Sequence, residues 1–266
     1  MSSFSTMGVL ALILTPVAGA FADAPPPPPP PENVWFGKGQ FGFLSSSGNS
    51  QAQSLNTIID LARIDGQWKN AFNVIGLYGK STGIVSSEKW AVQYQANYAS
   101  TADMFAFGGL RYEHDMFNGF QYQAAATSGL GYNIINTDID KLTGQLGVGY
   151  RKVRLEQINR DPAGSGNVIS RVPGDATGDA ILTGGLDYLH KFSATTVFTN
   201  KFYFESGKSD TLLKDNLALT VKMFDKLAMS VGYGITDNTK PPAQAPGAAP
   251  LKKLDTITTV NVVFAF

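Results

Sequence analysis

Residues 142–151 read LTGQLGVGYR. Leu142, Leu146, Val148 and Tyr150 fall on one side of an extended chain, and Thr143, Gln145, Gly147, Gly149 and Arg151 fall on the other. Successive side chains of a strand point to opposite faces, so the stretch describes a strand with one apolar face and one small or polar face. The division recurs at 227–235, where Leu227, Met229, Val231, Tyr233 and Ile235 oppose Ala228, Ser230, Gly232 and Gly234. It recurs at 89–98, where Trp90, Val92, Tyr94 and Tyr98 oppose Lys89, Gln93, Gln95 and Asn97.

Extending this period in both directions predicts strands over 34–45, 51–63, 66–79, 87–99, 103–115, 120–132, 141–154, 180–190, 194–205, 210–222, 226–236 and 253–266. No helical period of comparable strength interrupts them. A soluble barrel alternates in the same way with its apolar face inward, so the alternation alone leaves the hand of the wall open. Three features point to an apolar exterior. Connections near 64–65, 100–102, 191–193 and 223–225 are tight, whereas those near 80–86, 155–179 and 237–252 are long, the asymmetry of short periplasmic turns and long external loops. Trp68, Tyr78, Trp90, Tyr98, Tyr112, Tyr132, Tyr150 and Tyr188 lie mainly near strand ends on the apolar face, as interfacial girdles require. The last strand ends Val-Val-Phe-Ala-Phe, and Phe264 and Phe266 resemble the signal that outer-membrane barrels present to their assembly machinery. The expected fold is all-β: a transmembrane antiparallel up-and-down barrel of about twelve strands over 34–266.

Composition narrows the chemistry. The chain has 266 residues, with 21 basic against 21 acidic side chains, which leaves no electrostatic footprint for nucleic acid. Cysteine is absent, so disulfides, thiolate metal sites and cysteine nucleophiles are excluded together. The apolar run at 7–19, followed by small residues, predicts a secretory signal peptide over 1–24, and the prolines at 25–31 predict an extended periplasmic spacer over 25–33. The expected location is the outer membrane of a Gram-negative cell.

Several blocks resemble the salt-induced outer-membrane proteins of unknown function, the YdiY-like barrels. They are LSSSGNSQAQSLN (44–56), FAFGGLRYEHDMFNGFQYQAAATSGLGYNIINTD (105–138), LTGQLGVGYR (142–151) and the segment 201–238. The Tyr-Glu-His-Asp-Met-Phe-Asn-Gly corner at 112–119 is the most distinctive. The resemblance implies location and fold, and supplies no substrate or mechanism.

Barrel lipases place a His and a Ser two residues apart on a lipid-facing strand. Neither His114 nor His190 offers that spacing, so each reads as a strand-end rim residue and the chain as no enzyme. Asp175 and Asp179, four apart in a Gly/Asp-rich stretch, read as turn chemistry, and no cofactor or metal is assigned. With the apolar faces toward lipid, the lumen receives Lys38, Asp60, Lys69, Lys89, Arg111, Glu113, Arg151, Asp187, Lys201, Glu205, Lys222 and Asp255. Such mixed charge suits a narrow passive path for small polar solutes, or an envelope component under osmotic or salt stress. It equally suits a sealed structural barrel whose external loops bind a partner, because twelve strands fall between filled and water-filled barrels. The expected partners are membrane lipid, the assembly machinery and small polar solutes.

Overall fold

The structure, a computed structural model, describes residues 33–46, 52–81, 84–115, 120–160, 168–240 and 252–266. The expected leader at 1–24, and all of the spacer except Asn33, lie outside the described residues. Twelve strands follow in chain order: β1 (Val34–Ser46), β2 (Ala52–Asp65), β3 (Trp68–Ser81), β4 (Ile84–Ala99), β5 (Met104–Asp115), β6 (Phe120–Asn136), β7 (Asp140–Arg160), β8 (Val168–Lys191), β9 (Thr196–Gly207), β10 (Thr211–Lys222), β11 (Leu227–Asn238) and β12 (Leu254–Ala265). Each pairs antiparallel with its sequence neighbours, and β1 pairs with β12, so the sheet closes into an up-and-down barrel.

Two of the connections expected to be long are mostly strand. β3 runs to Ser81 and β4 begins at Ile84, which absorbs most of 80–86. Of the stretch 155–179, residues 155–160 and 168–179 form a ribbon in which β7 and β8, 21 and 24 residues long, continue past their other neighbours. Pro173 hid this extension. It sits opposite Glu156 on β8, whose pairing with β9 begins only at Ile181, and an unpaired edge tolerates a residue without a backbone donor. The barrel therefore has a turn end, carrying the connections at 66–67, 100–103, 137–139, 192–195 and 223–226, and a ribbon end, from which β7 and β8 project. Gly66 has φ 59°, the left-handed conformation that lets two residues reverse the chain between β2 and β3.

Exposure settles which face is outside. Leu146, Val148 and Tyr150 are 58, 62 and 57% exposed, whereas Arg151, on the opposite face of β7, is 2% exposed. Leu110, Leu130, Val231, Val260 and Phe264 continue the apolar exterior around the wall. A soluble protein buries such residues, and a continuous band of them marks a surface made for hydrocarbon. Aromatics border it at both ends. Trp68 packs on Tyr98 toward the turn end, and Trp90, Tyr112 and Tyr122 form a stacked row toward the ribbon end.

The closing seam is short. β1 and β12 pair over Lys38–Ala265 to Phe41–Val262, and Gly37 and Phe266 exchange both backbone hydrogen bonds at 2.9 and 3.0 Å. The Phe266 ring lies over Gly37, where an added Cβ would stand 2.7 Å from the ring and 2.9 Å from the Asp60 carbonyl oxygen.

Two outcomes follow from this wall. Gly37→Val lowers the folded, heat-modifiable fraction on gels, whereas Gly39→Val, where an added Cβ meets nothing within 4 Å, leaves it unchanged. Leu146→Arg, on the lipid face, costs about 2–4 kcal/mol in reversible unfolding from vesicles, and Gln145→Arg, next to it on the lumen face, costs less.

Candidate functional site

The polar faces of the strands meet inside the barrel, and toward the ribbon end they form a layer of ion pairs. Glu113 of β5 accepts from Lys89 of β4 at 2.5 Å, Arg111 of its own strand at 3.0 Å and Lys214 of β10 at 3.1 Å. Arg111 donates to Glu205 of β9 at 2.7 Å and to the Gln123 side-chain oxygen at 3.0 Å. Glu205 also accepts from Arg151 of β7 at 3.1 Å and from the Tyr203 hydroxyl at 2.8 Å. Arg151 pairs in addition with Asp210, in the β9–β10 turn, and with Asp179 of β8 at 3.6 Å. Lys89 reaches Asp115 at 3.4 Å.

Three strands separate β5 from β9 in the ring and four separate β5 from β10, so the Arg111–Glu205 and Lys214–Glu113 pairs cross the lumen. Arg151 and Glu205 are the largest fully buried side chains among the described residues. A buried charge costs several kcal/mol unless it is paired, and here Arg111, Glu113, Arg151 and Glu205 each hold two or more partners. Arg111 serves two carboxylates and Arg151 three because the guanidinium presents its donors as a planar fork. The interior is narrowed further by Phe105 and Phe107, which turn inward against Gly131, Gly129 and Gly147.

The lumen residues read from sequence divide into four groups. Lys89, Arg111, Glu113, Arg151 and Glu205 enter the layer described above. Lys38 pairs with Asp60 at 3.5 Å, and Asp60 also accepts from Asn73 at 2.7 Å, but these contacts join neighbouring strands along the wall. Lys69, Asp187 and Lys201 lie by alternation on the lumen face, with Asp187 directly opposite Lys201 in the β8–β9 register. Lys222 stands at the turn end, 3.9 Å from Asp225, and Asp255 at the ribbon end. The layer also contains Asp115, Gln123, Asp179, Tyr203, Asp210 and Lys214. Lys214 shares the parity of Lys222, and Asp115 that of Glu113, so alternation could have found both; Asp210 lies in a turn and has no parity to read.

The stretch holding Asp175 and Asp179 is strand, not turn. Asp179 accepts from the Ser209 backbone N–H at 3.0 Å as well as pairing with Arg151, whereas Asp175 is exposed. His190 is likewise not isolated: its Nδ1 lies 2.7 Å from Asp140, which also accepts from the Tyr188 hydroxyl at 2.8 Å. His114 contacts the Gln121 carbonyl and packs beside Trp90. Above the charged layer, toward the ribbon end, a cavity of about 220 Å³ opens among β4–β12.

An apolar exterior around a closed hydrogen-bonded wall, with a charged interior, defines a transmembrane β-barrel. Residues 39–266 match the family described as "Protein of unknown function, DUF481", and the chain belongs to that family. It is 24% identical over 210 residues to the uncharacterized protein YdiY of Escherichia coli (strain K12), covering 77% of this chain and 75% of that protein. Among solved structures it is similar to the translocator domain of the autotransporter NalP from Neisseria meningitidis, at 12% identity and TM-score 0.45 over 87% of each chain. It is also similar to the KdgM porin, at 13% identity and TM-score 0.42 over 88% of this chain and 99% of that one.

Glu205 is the member whose loss strands the most charge. Glu205→Ala leaves Arg111 and Arg151 short of a carboxylate in a buried setting and destabilises the barrel by about 3–5 kcal/mol in urea unfolding from vesicles. Asp60→Ala, at a wall pair open to water, costs less than about 1 kcal/mol.

Proposed function

We propose that this chain is a non-enzymatic outer-membrane β-barrel of the bacterial envelope, assembled through its C-terminal strand. Its lumen is held closed by the charged layer, so small polar solutes cross only when that layer parts. The observation that carries this reading is the pair of lumen-crossing contacts, Arg111–Glu205 and Lys214–Glu113, beside an Arg151–Glu205 pair withdrawn from water. Of the two uses that mixed lumen charge allows, an open path and a sealed interior, the crossing contacts favour the sealed state at rest.

The layer also supplies a physical route for a role under salt stress. Lys89 and Lys214 keep 25 and 21% of their side chains exposed, whereas Arg151 and Glu205 keep 2 and 0%. Salt screens accessible pairs more than buried ones, so rising ionic strength loosens the Lys89–Glu113–Lys214 side of the layer first.

Single-channel recording on the refolded chain tests the reading. The wild type gives no steady conductance, and the Glu113→Gln/Glu205→Gln double variant, which removes the acceptors of both crossing pairs, gives frequent openings. Steady wild-type steps that the double variant leaves unchanged would overturn it.

A further inference from the structure

The cavity above the charged layer is lined asymmetrically. Phe120, Val153, Leu155 and Leu212 supply apolar surface, the first three from the β6–β7 side. Lys240, Lys252 and Lys253 come from the β11–β12 side. The carboxylates of the floor are already committed: Glu113 to Lys89, Arg111 and Lys214, and Asp179 and Asp210 to Arg151. Among the described residues, none of Lys240, Lys252 and Lys253 has a carboxylate within salt-bridge distance. Asp255 is the one remaining acid of the lining to set against these three cations.

We propose that this vestibule is a binding site for a small organic anion with an apolar face, of the kind in which a carboxylate is carried on a ring. The excess positive charge on one wall attracts the anion, and the low-dielectric barrel mouth strengthens that attraction. The apolar wall opposite takes the ring. At about 220 Å³ the space is smaller than the 300–1,000 Å³ typical of drug-sized ligands, which limits the occupant to a single ring or its equivalent. Neutral polar side chains at the rim, among them Thr177, Ser209 and Asn238, supply hydrogen bonds without adding charge. The floor is the closed layer, so the occupant would rest on the gate and not within the path beneath it.

Titration of the full chain, refolded in detergent, with benzoate tests the site, with benzyl alcohol and acetate as probes that lack the charge and the ring respectively. Benzoate binds saturably, and both controls bind about tenfold more weakly or worse, the scale of one lost charge-assisted contact. The Lys240→Gln/Lys252→Gln/Lys253→Gln variant, checked for unchanged heat-modifiable migration, weakens benzoate about tenfold and weakens benzyl alcohol little. Leu155→Ser weakens benzoate and leaves acetate unchanged. Absence of saturable benzoate binding, equal affinity for benzoate and benzyl alcohol, or an affinity indifferent to the triple substitution would overturn the proposal. The readout is binding and not conductance, so this test can fail while the closed-lumen reading stands, and the recording test can fail with binding intact.

Discussion

Backbone hydrogen bonding is the constraint on which this molecule depends. In hydrocarbon there is no water to satisfy a free N–H or C=O, so a chain that crosses as strands must close its sheet on itself. Closure here is completed over a few residues, where Lys38–Phe41 meet Val262–Ala265 and Gly37 exchanges bonds with Phe266. The inverted distribution of side chains follows from it. Once the wall is closed and surrounded by lipid, Leu146, Val148 and Val231 are stable outside, and polar groups are stable only within.

Closure then creates the problem that the charged layer answers. Twelve strands enclose more space than backbone and small side chains fill, and less than a wide aqueous channel needs. Near the turn end the lumen keeps Lys69, Asp187 and Lys201 on its face, and wall pairs such as Lys38–Asp60 stay between neighbouring strands. Near the ribbon end the long side chains reach across. Glu205 receives two guanidinium groups and a tyrosine hydroxyl, and Glu113 receives two lysines and an arginine, so each buried carboxylate is offset from several directions. Such a layer is stable while complete and costly when one member is removed.

The β7–β8 ribbon gives the two ends different characters. Beyond the level at which β9 turns back, β8 has no second neighbour, yet its pairing with β7 continues to Val168. Just below the extension, where β7 still pairs with β6, Val153 and Leu155 line the mouth together with the lysines at the β11–β12 side. Thus the mouth at this end combines an apolar wall with a cationic one, and both stand above the charged layer.

Alternation in the sequence by itself determined the twelve strands and the common face of Arg111 and Glu113 on β5, because a period of two is local and survives without any tertiary information, while connection lengths, aromatic placement and the terminal aromatics pointed the apolar face outward. It misplaced 168–179, because Pro173 and the Gly/Asp pairs around it carry the same signal in a loop and on an unpaired strand edge. Which lumen charges meet was decided by the tertiary structure alone. Arg111 and Glu205 are brought together by the closure and tilt of the barrel, and no spacing along the chain encodes that distance. Asp210 joins from a turn, where parity has no meaning, and Lys38 and Lys201 share the parity of the layer yet stand outside it because they lie at other heights in the wall. The strands are a property of neighbouring residues, whereas the ion pairs that cross the lumen are a property of the ring.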